Sequence, residues 1–325
     1  MKSKTVAIFF VFSVTLPFFI PEAYLYIIGL AYLFAIIAIS WDLMVGYTGQ
    51  VNLGHTTFVG VGAYIAALLQ VPERIGLNFD VPPLLSILAS GLVTSLIGLV
   101  IGVITLRLKG HYFALVTAIS PLVFMQTVYI WREELGGEEG FSIGTENAIY
   151  PSILGKYYIS LLILIISLII ILKIVDSNLG LKFKAIRDSE ELAESLGINT
   201  TKYKVLAFVI SSFFAGIAGA AIVHYRITVS PDLYDIPLML LVILSTVIGG
   251  IGTIIGPLFS AIIIYLAKSL WMRSLISFIG LPINDEVLLY SLLILFGITM
   301  PRGIYEGVVK FYKSRSDGGK YERTS

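Results

Sequence analysis

Hydrophobic residues run along most of this chain without a recurring polar stripe, in stretches broken by charge, proline or glycine. The runs fall at 5–20, 24–40, 57–70, 83–106, 112–131, 157–175, 204–227, 237–249, 254–270 and 286–300. A helix apolar all round has lipid or protein interior on every side, and about 20 residues cross a hydrocarbon core. The pattern predicts an all-α polytopic membrane protein with about ten transmembrane helices (8–10). The third, eighth and tenth runs are short, so tilted, broken or re-entrant elements are expected there. One long interruption stands apart: 176–204, DSNLGLKFKAIRDSEELAESLGINTTKYK. A segment so charged stays out of lipid and must lie on one membrane face.

Composition supports the membrane reading. Of 325 residues 57% are hydrophobic and 13% charged, about half the charge of a soluble domain. A net charge of +1 offers no global field for nucleic acid. Its distribution says more. With the N-terminus in the cytoplasm, all but Arg74, Arg132, Lys156, Arg226, Lys268 and Arg273 of the 22 basic residues fall on the cytoplasmic side, as the positive-inside rule requires. Both termini are then cytoplasmic. The longest outer loop, 132–156, carries Glu133, Glu134, Glu138, Glu139 and Glu146. Residues 1–304 read as a single transmembrane domain with a cytoplasmic loop at 176–204, and 305–325 as a partly disordered cytoplasmic tail. Lys2 and Lys4 before Val6–Leu16 resemble a signal peptide, but no small-residue cleavage site follows, so a retained first span is expected. Cysteine is absent, which excludes disulfides and thiolate chemistry.

Several apolar runs give way to polar residues that need an explanation. Between Trp41 and Gly62, Asp42, Tyr47, Thr48, Gln50, Asn52, His55, Thr56 and Thr57 alternate with Gly46, Gly49 and Gly54. This is either a broken element beside a permeation path, where non-helical backbone survives at membrane depth, or a loop between two spans. Gly249, Gly250 and Gly252, with Gly256-Pro257 beyond, disfavour a continuous helix. Two half-helices meet there, facing a pore or making a tight turn. A loose echo links 46–69 with 249–268, each Gly-rich and polar before an apolar run ending near a tyrosine. In the seventh run Ser212, Gly216 and Ala220, and Ala215 and Gly219, recur every four residues. That surface admits a close neighbour, either internal or from another subunit. Arg226, Asp232 and Asp235 fall at an outer boundary and are candidates for contact with an extracytoplasmic partner. His111 opens a span and reads as a surface histidine, and Pro121 predicts a bend.

The charged interruption has the design of a short capped helix. Asp188 is the expected N-cap, with Glu191 three residues on completing a capping box. Glu190 and Glu191 suit the helix dipole. Leu192 and Leu196 share a face beside Ala193, Gly197 is a left-handed stop, and Asn199 or Thr200 caps the following span. A helix of two turns is unstable alone, so this one is expected to dock against another surface.

Glu191-Leu192-Ala193 with Gly197 resembles the EAA-type coupling motif of ABC importer permeases. The longer run SNLGLKFKAIRDSEELAESLGINTTKYKVLAFVISSFFAGIAGA, with GYTGQVNLGHTTFVGVGAYIAALL and VSPDLYDIPLMLLVILSTVIGGIGTIIGPLFSAIII, is similar to the branched-chain amino acid transporter permease family. The likeness spans roughly 25–300 and favours the second of the two permease types; the Ile-x-Leu-Pro end of the fuller EAA motif is missing. The resemblance implies a type II ABC importer-like permease in a prokaryotic plasma membrane. Its partners would be a homologous permease, two cytoplasmic ABC ATPases, an extracytoplasmic substrate-binding protein and membrane lipid. Coupling falls to Arg187, Asp188, Glu190, Glu191, Leu192, Ala193, Leu196 and Gly197, while Gln50, Asn52, His55, Thr56, Thr57, Gly249, Gly250 and Gly252 are candidates for the path. No GxxxxGK[ST] phosphate loop is present, so ATP and Mg are expected on the partners, and this chain is expected to carry no cofactor, metal or enzymatic activity. A permease for urea or short amides shares the architecture. A stand-alone secondary transporter would need buried mid-span acids, and Asp42 is the lone carboxylate near such a position.

Overall fold

Proline and left-handed glycine set the limits of the two longest N-terminal helices. Pro21 precedes α2 (Glu22–Thr48), which stops at Gly49 with φ +72, and Pro82 and Pro83 open α4 (Pro83–Thr105). The computed structural model describes residues 2–108 and 111–272, with isolated positions between 287 and 299. Most of the expected tenth span, the tail 305–325, Lys109 and Arg273 lie outside the described residues. The remaining helices are α1 (Lys2–Thr15), α3 (His55–Gln70), α5 (His111–Ile130), α6 (Arg132–Leu135), α7 (Ile153–Val175), α8 (Asn178–Asp188), α9 (Glu190–Ser195), α10 (Thr200–Arg226), α11 (Ile236–Gly249) and α12 (Ile255–Ala267). A π-helical turn, Lys268–Met272, extends α12.

Among the described residues, five helices are long and apolar enough to cross a membrane: α2, α4, α5, α7 and α10. The chain is an all-α polytopic membrane protein, with one small exception. Strands β1 (Phe141–Ser142) and β2 (Thr228–Val229) pair antiparallel and pin the 132–152 loop to the end of α10. Helices α2 and α10 are the centre, each buried over 72% of its most apolar stretch, against 22% for α5. Helices α7, α10 and α12 pack on α2, while α3 and α4 pack on α10.

Close approach is what the small residues contribute. The Gly216 Cα would stand 2.5 Å from a Cβ on Gly62, and a Cβ on Gly216 itself would meet Thr94 at 2.7 Å. The small-residue surface of α10 is thus an internal seam with α3 and α4, held by backbone proximity and van der Waals contact. His224, buried on α10, closes the same seam at the far end, with Nε2 2.7 Å from Ser86 Oγ and Nδ1 3.1 Å from the Asn147 carbonyl. His111 is exposed, as expected of a surface residue.

Three expectations need correction. Helix α2 continues to Thr48, so Trp41, Asp42, Tyr47 and Thr48 are helical and buried; the irregular segment is only 49–54. Their polar groups find partners inside the protein, which removes the need for a break. The charged interruption holds two helices, because Ser177 caps an additional one, α8, that buries Gly180, Phe183 and Ile186. Finally, Asp188 ends α8 and is not the N-cap of α9. That role belongs to Ser189, whose Oγ accepts from Leu192 N at 3.3 Å. The Asp188–Glu191 box is therefore not formed.

Gly62→Ala is expected to lose about 1–3 kcal/mol through overpacking against α10, measured as a lower unfolding midpoint in detergent. An unchanged midpoint would remove the close crossing from the account of the fold.

Candidate functional site

The end of the bundle that carries α8 and α9 is built around one carboxylate. Asp42, on α2 and fully buried, accepts from Gly252 N at 2.6 Å and from Ile254 N at 2.9 Å. Both donors belong to the glycine-rich connection between α11 and α12. Ile254 sits at φ +58, ψ −50, and Ile255 N donates to Thr253 O at 2.6 Å. This is a γ-turn of the strained kind, at a β-branched residue. Gly46, one turn on from Asp42, presses against the same connection: a Cβ there would reach Gly252 Cα at 2.5 Å. The two sequence-echoing segments therefore meet at Gly46 and Gly252. With 14 and 13 residues, α11 and α12 are each about 20 Å long, short of a hydrocarbon core of about 30 Å. They form a pair of short helices meeting at the glycines, as the sequence predicted, with α12 extended by its π-helical turn.

Arg187 joins this knot to the charged interruption. Its Nη1 donates to the Gly46 carbonyl at 2.9 Å, while Nε and Nη2 donate to Asp188 Oδ1 at 3.0 and 2.9 Å. Helix α9 follows directly and is tied to α10. Lys204 Nζ, buried, donates to Glu190 Oε1 at 2.6 Å. Thr200 Oγ1 donates to Glu194 Oε1 at 2.6 Å and more weakly to Glu190 Oε1 at 3.3 Å. Gly197 adopts φ +82, and Gly197 N and Ile198 N bond the carbonyls of Glu194 and Ala193 at 2.9 and 3.0 Å. This is the Schellman stop that Gly197 promised. Asn199 Oδ1 accepts from Lys202 N at 2.9 Å and starts α10. Ala193 faces inward, while Leu192 and Leu196 are 60% and 72% exposed and Glu191 is exposed. A small platform results, capped at both ends and tied to α10, with two leucines on its outer face.

Polar residues of 50–57 are brought together in a seam between α2, α3, α5 and the turn Pro231–Tyr234. His55 Nε2 lies 2.9 Å from Ser40 Oγ, Thr56 Oγ1 donates to Tyr234 O at 3.3 Å, and Thr57 Oγ1 lies 2.8 Å from Ser120 Oγ. Asn52 Oδ1 accepts from Gly54 N at 2.9 Å, and its carbonyl accepts from Trp41 Nε1 at 2.6 Å. Asn52 Nδ2 and His55 Nδ1 are buried without a hydrogen-bond partner. Gln50 is only half-buried. Tyr234 stacks on Tyr64 and Phe124, and burial pushes its phenol far above the ordinary range.

At the opposite end Arg226, the last residue of α10, pairs with Asp232 at 2.7 Å, and Asp232 also accepts from Ser230. With Asp235 they edge a cavity of 680 Å³ between α2, α10, α11 and α12. Lys156 donates to the Tyr225 carbonyl at 3.0 Å and Arg74 to the Glu134 carbonyl at 2.8 Å. The described basic residues that the charge rule had set apart thus gather at this end.

A family model described as branched-chain amino acid transport system / permease component matches residues 23–297. The chain belongs to this family. It is 27% identical to the high-affinity branched-chain amino acid transport system permease protein LivM of Salmonella typhimurium, over 96% of this chain and 77% of that protein. It is 25% identical to the LivH permease of the same organism, over 83% of this chain and 90% of that one. A probable LivH permease of Methanocaldococcus jannaschii is 23% identical over 76% and 80%. No solved structure matches the chain.

The motif in this permease groups Arg187 with the coupling residues, but nothing in the sequence marks its reach to Gly46 or the grip of Asp42 on the α11–α12 connection. The signal available was Asp42 itself, an acid within an apolar run with no basic residue near it in sequence. Asp42→Asn replaces an acceptor oxygen with a donor and leaves one backbone N–H facing the wrong group. A loss of about 1–3 kcal/mol is expected, measured as a lower unfolding midpoint. Asp42→Ala should cost more, and equal midpoints for all three proteins would show that the carboxylate does not hold the turn.

Proposed function

We propose that this permease forms the translocation path of an ABC importer for branched-chain or related apolar amino acids in a prokaryotic plasma membrane. Two ATPase subunits on other chains drive it, and a second, homologous permease completes the path. An extracytoplasmic binding protein delivers substrate to the end marked by Arg226, Asp232 and Asp235. The α8–α9 end faces the cytoplasm, and the remaining spans of a ten-span topology place both termini there. The observation that carries this reading is α9: a six-residue helix, capped at both ends and bound to α10, whose outer face is two exposed leucines. A chain-internal linker has no use for such a face.

An ATPase closing on Leu192 and Leu196 would push a rigid body. Lys204–Glu190 passes the push to the first turn of α10, and Arg187 passes it to Gly46 and the α11–α12 turn. Helix α10, at 27 residues, carries it about 40 Å to the far end. The 50–57 seam lies against the same elements, and its path role rests on the unpartnered Asn52 Nδ2 and His55 Nδ1. A permease for urea or short amides would use the same mechanics, with selectivity residing in the binding protein.

Leu196→Asp is expected to weaken ATPase docking by about 2 kcal/mol, roughly thirtyfold in affinity, read by co-purification of the ATPases. Gly197→Val meets no side chain, since nothing lies within 4 Å of a Cβ there. It places a β-branched residue in the left-handed region, at about 1–2 kcal/mol. It should leave the ATPases bound but disconnect ATP hydrolysis from leucine uptake in proteoliposomes. Normal coupled uptake in both variants would overturn the docking role of α9.

A further inference from the structure

The cavity at the Arg226 end has two chemically distinct halves. One wall is aliphatic and aromatic, from Leu30, Phe34 and Ile37 of α2, Ile222 of α10 and Leu238 and Leu241 of α11. The other holds both signs of charge: Arg226 of α10, Lys268 beyond α12, and the acids Asp232 and Asp235, with the Tyr265 hydroxyl beside them. Its 680 Å³ falls within the usual range for small-ligand sites, about 300–1,000 Å³. A docking surface for a protein partner is flatter, and a cavity for an uncharged apolar solute needs no paired charges, which cost desolvation.

We propose that this cavity is a binding subsite for a free, zwitterionic α-amino acid with an apolar side chain. The proposal rests on the import function above and assigns residues to its substrate. The side chain lies on the α2–α11 wall. The carboxylate takes Arg226 and Lys268, and the ammonium takes Asp232. The Arg226–Asp232 pair, at 2.7 Å with both side chains part-exposed, opens to admit the ligand, so one ion pair is exchanged for two. Charge balance is kept at every stage, and a ligand bearing both charged groups on one carbon satisfies both partners. Arg226 ends the helix whose first turn carries Lys204 and Glu190, so substrate and ATPase platform act on opposite ends of one rigid rod.

The absence of cysteine from this chain makes a direct test available. Leu241→Cys, and separately Leu238→Cys, places its only thiol in the cavity wall of the assembled importer in phosphatidylcholine nanodiscs. Labelling of this chain by N-ethylmaleimide is followed by mass spectrometry. Leucine at ten times its Kd is expected to slow labelling about tenfold. Leucinamide, lacking the carboxylate, and 4-methylpentanoate, lacking the ammonium, should protect little, and Arg226→Gln should abolish protection by leucine. A thiol at Leu162→Cys, on an exposed face of α7, should be unaffected. Equal protection by 4-methylpentanoate, or protection that follows the phospholipid headgroup and ignores leucine, overturns the proposal. So does the absence of protection at both positions in an importer that still takes up leucine with ATP; there the import function stands and the subsite falls. Failure of ATP-driven uptake of any apolar amino acid by the native importer would instead overturn the function itself.

Discussion

A single carboxylate, Asp42, holds this permease together where its two kinds of helix meet. It is fully buried on α2 and accepts two backbone N–H groups from the turn between α11 and α12. Intramolecular hydrogen bonds contribute about 0.5–1.5 kcal/mol each, net. A residue held at positive φ outside its favoured regions costs about 1–3 kcal/mol. Two such bonds are of the same size as that cost, so the carboxylate offsets the strain of the turn at Ile254. The bonds also fix where the short helices α11 and α12 meet. Two short apolar helices have little tendency to stop at a defined depth when lipid and protein interior are equally apolar. A polar contact to a central helix supplies the missing position.

Around that point the packing follows the physics of a solvent that gives helices no hydrophobic reason to associate. Gly62 on Gly216 and Gly46 on Gly252 bring backbones close enough for dispersion and polar contacts to act. Buried hydroxyls and imidazoles then bridge neighbouring helices, as Ser86 and Ser40 do with His224 and His55. Polar residues within the apolar runs are therefore mostly fasteners. His224, two residues before Arg226, is such a fastener inside the protein.

The same fasteners make the molecule mechanically suited to its family's work. Helix α10 is gripped at its start by Glu190 and Glu194 and ends in the Arg226–Asp232 pair. Arg187 links the α8–α9 platform to the α2 end and stands beside the α11–α12 turn. Two sets of contacts thus lead away from the platform, one from α9 to α10 and one from the end of α8 to the Asp42 knot. The coupling proposal and the proposed substrate subsite both draw on these contacts.

Composition and hydropathy by themselves determine the all-α membrane class and nine of the apolar elements now seen as helices, and the cap residues mark the short helix with its Gly197 stop. These are local properties: desolvation of the chain, helical length and cap chemistry are written within a few residues of each other. Helix α8 was hidden because its charged face dominates its composition, while its buried Phe183 and Ile186 matter only once α2 lies beneath them. The continuation of α2 to Thr48 was hidden for the same reason, since polar residues look like a break until their partners are known. Only the tertiary structure decided that Asp42 meets a turn 210 residues away, that Arg187 meets a carbonyl 141 residues away, and that Arg226 and Asp232 share a cavity with an apolar wall. Such pairings depend on which helices are neighbours, and a uniformly apolar pattern, equally content against lipid or protein, carries no record of that choice.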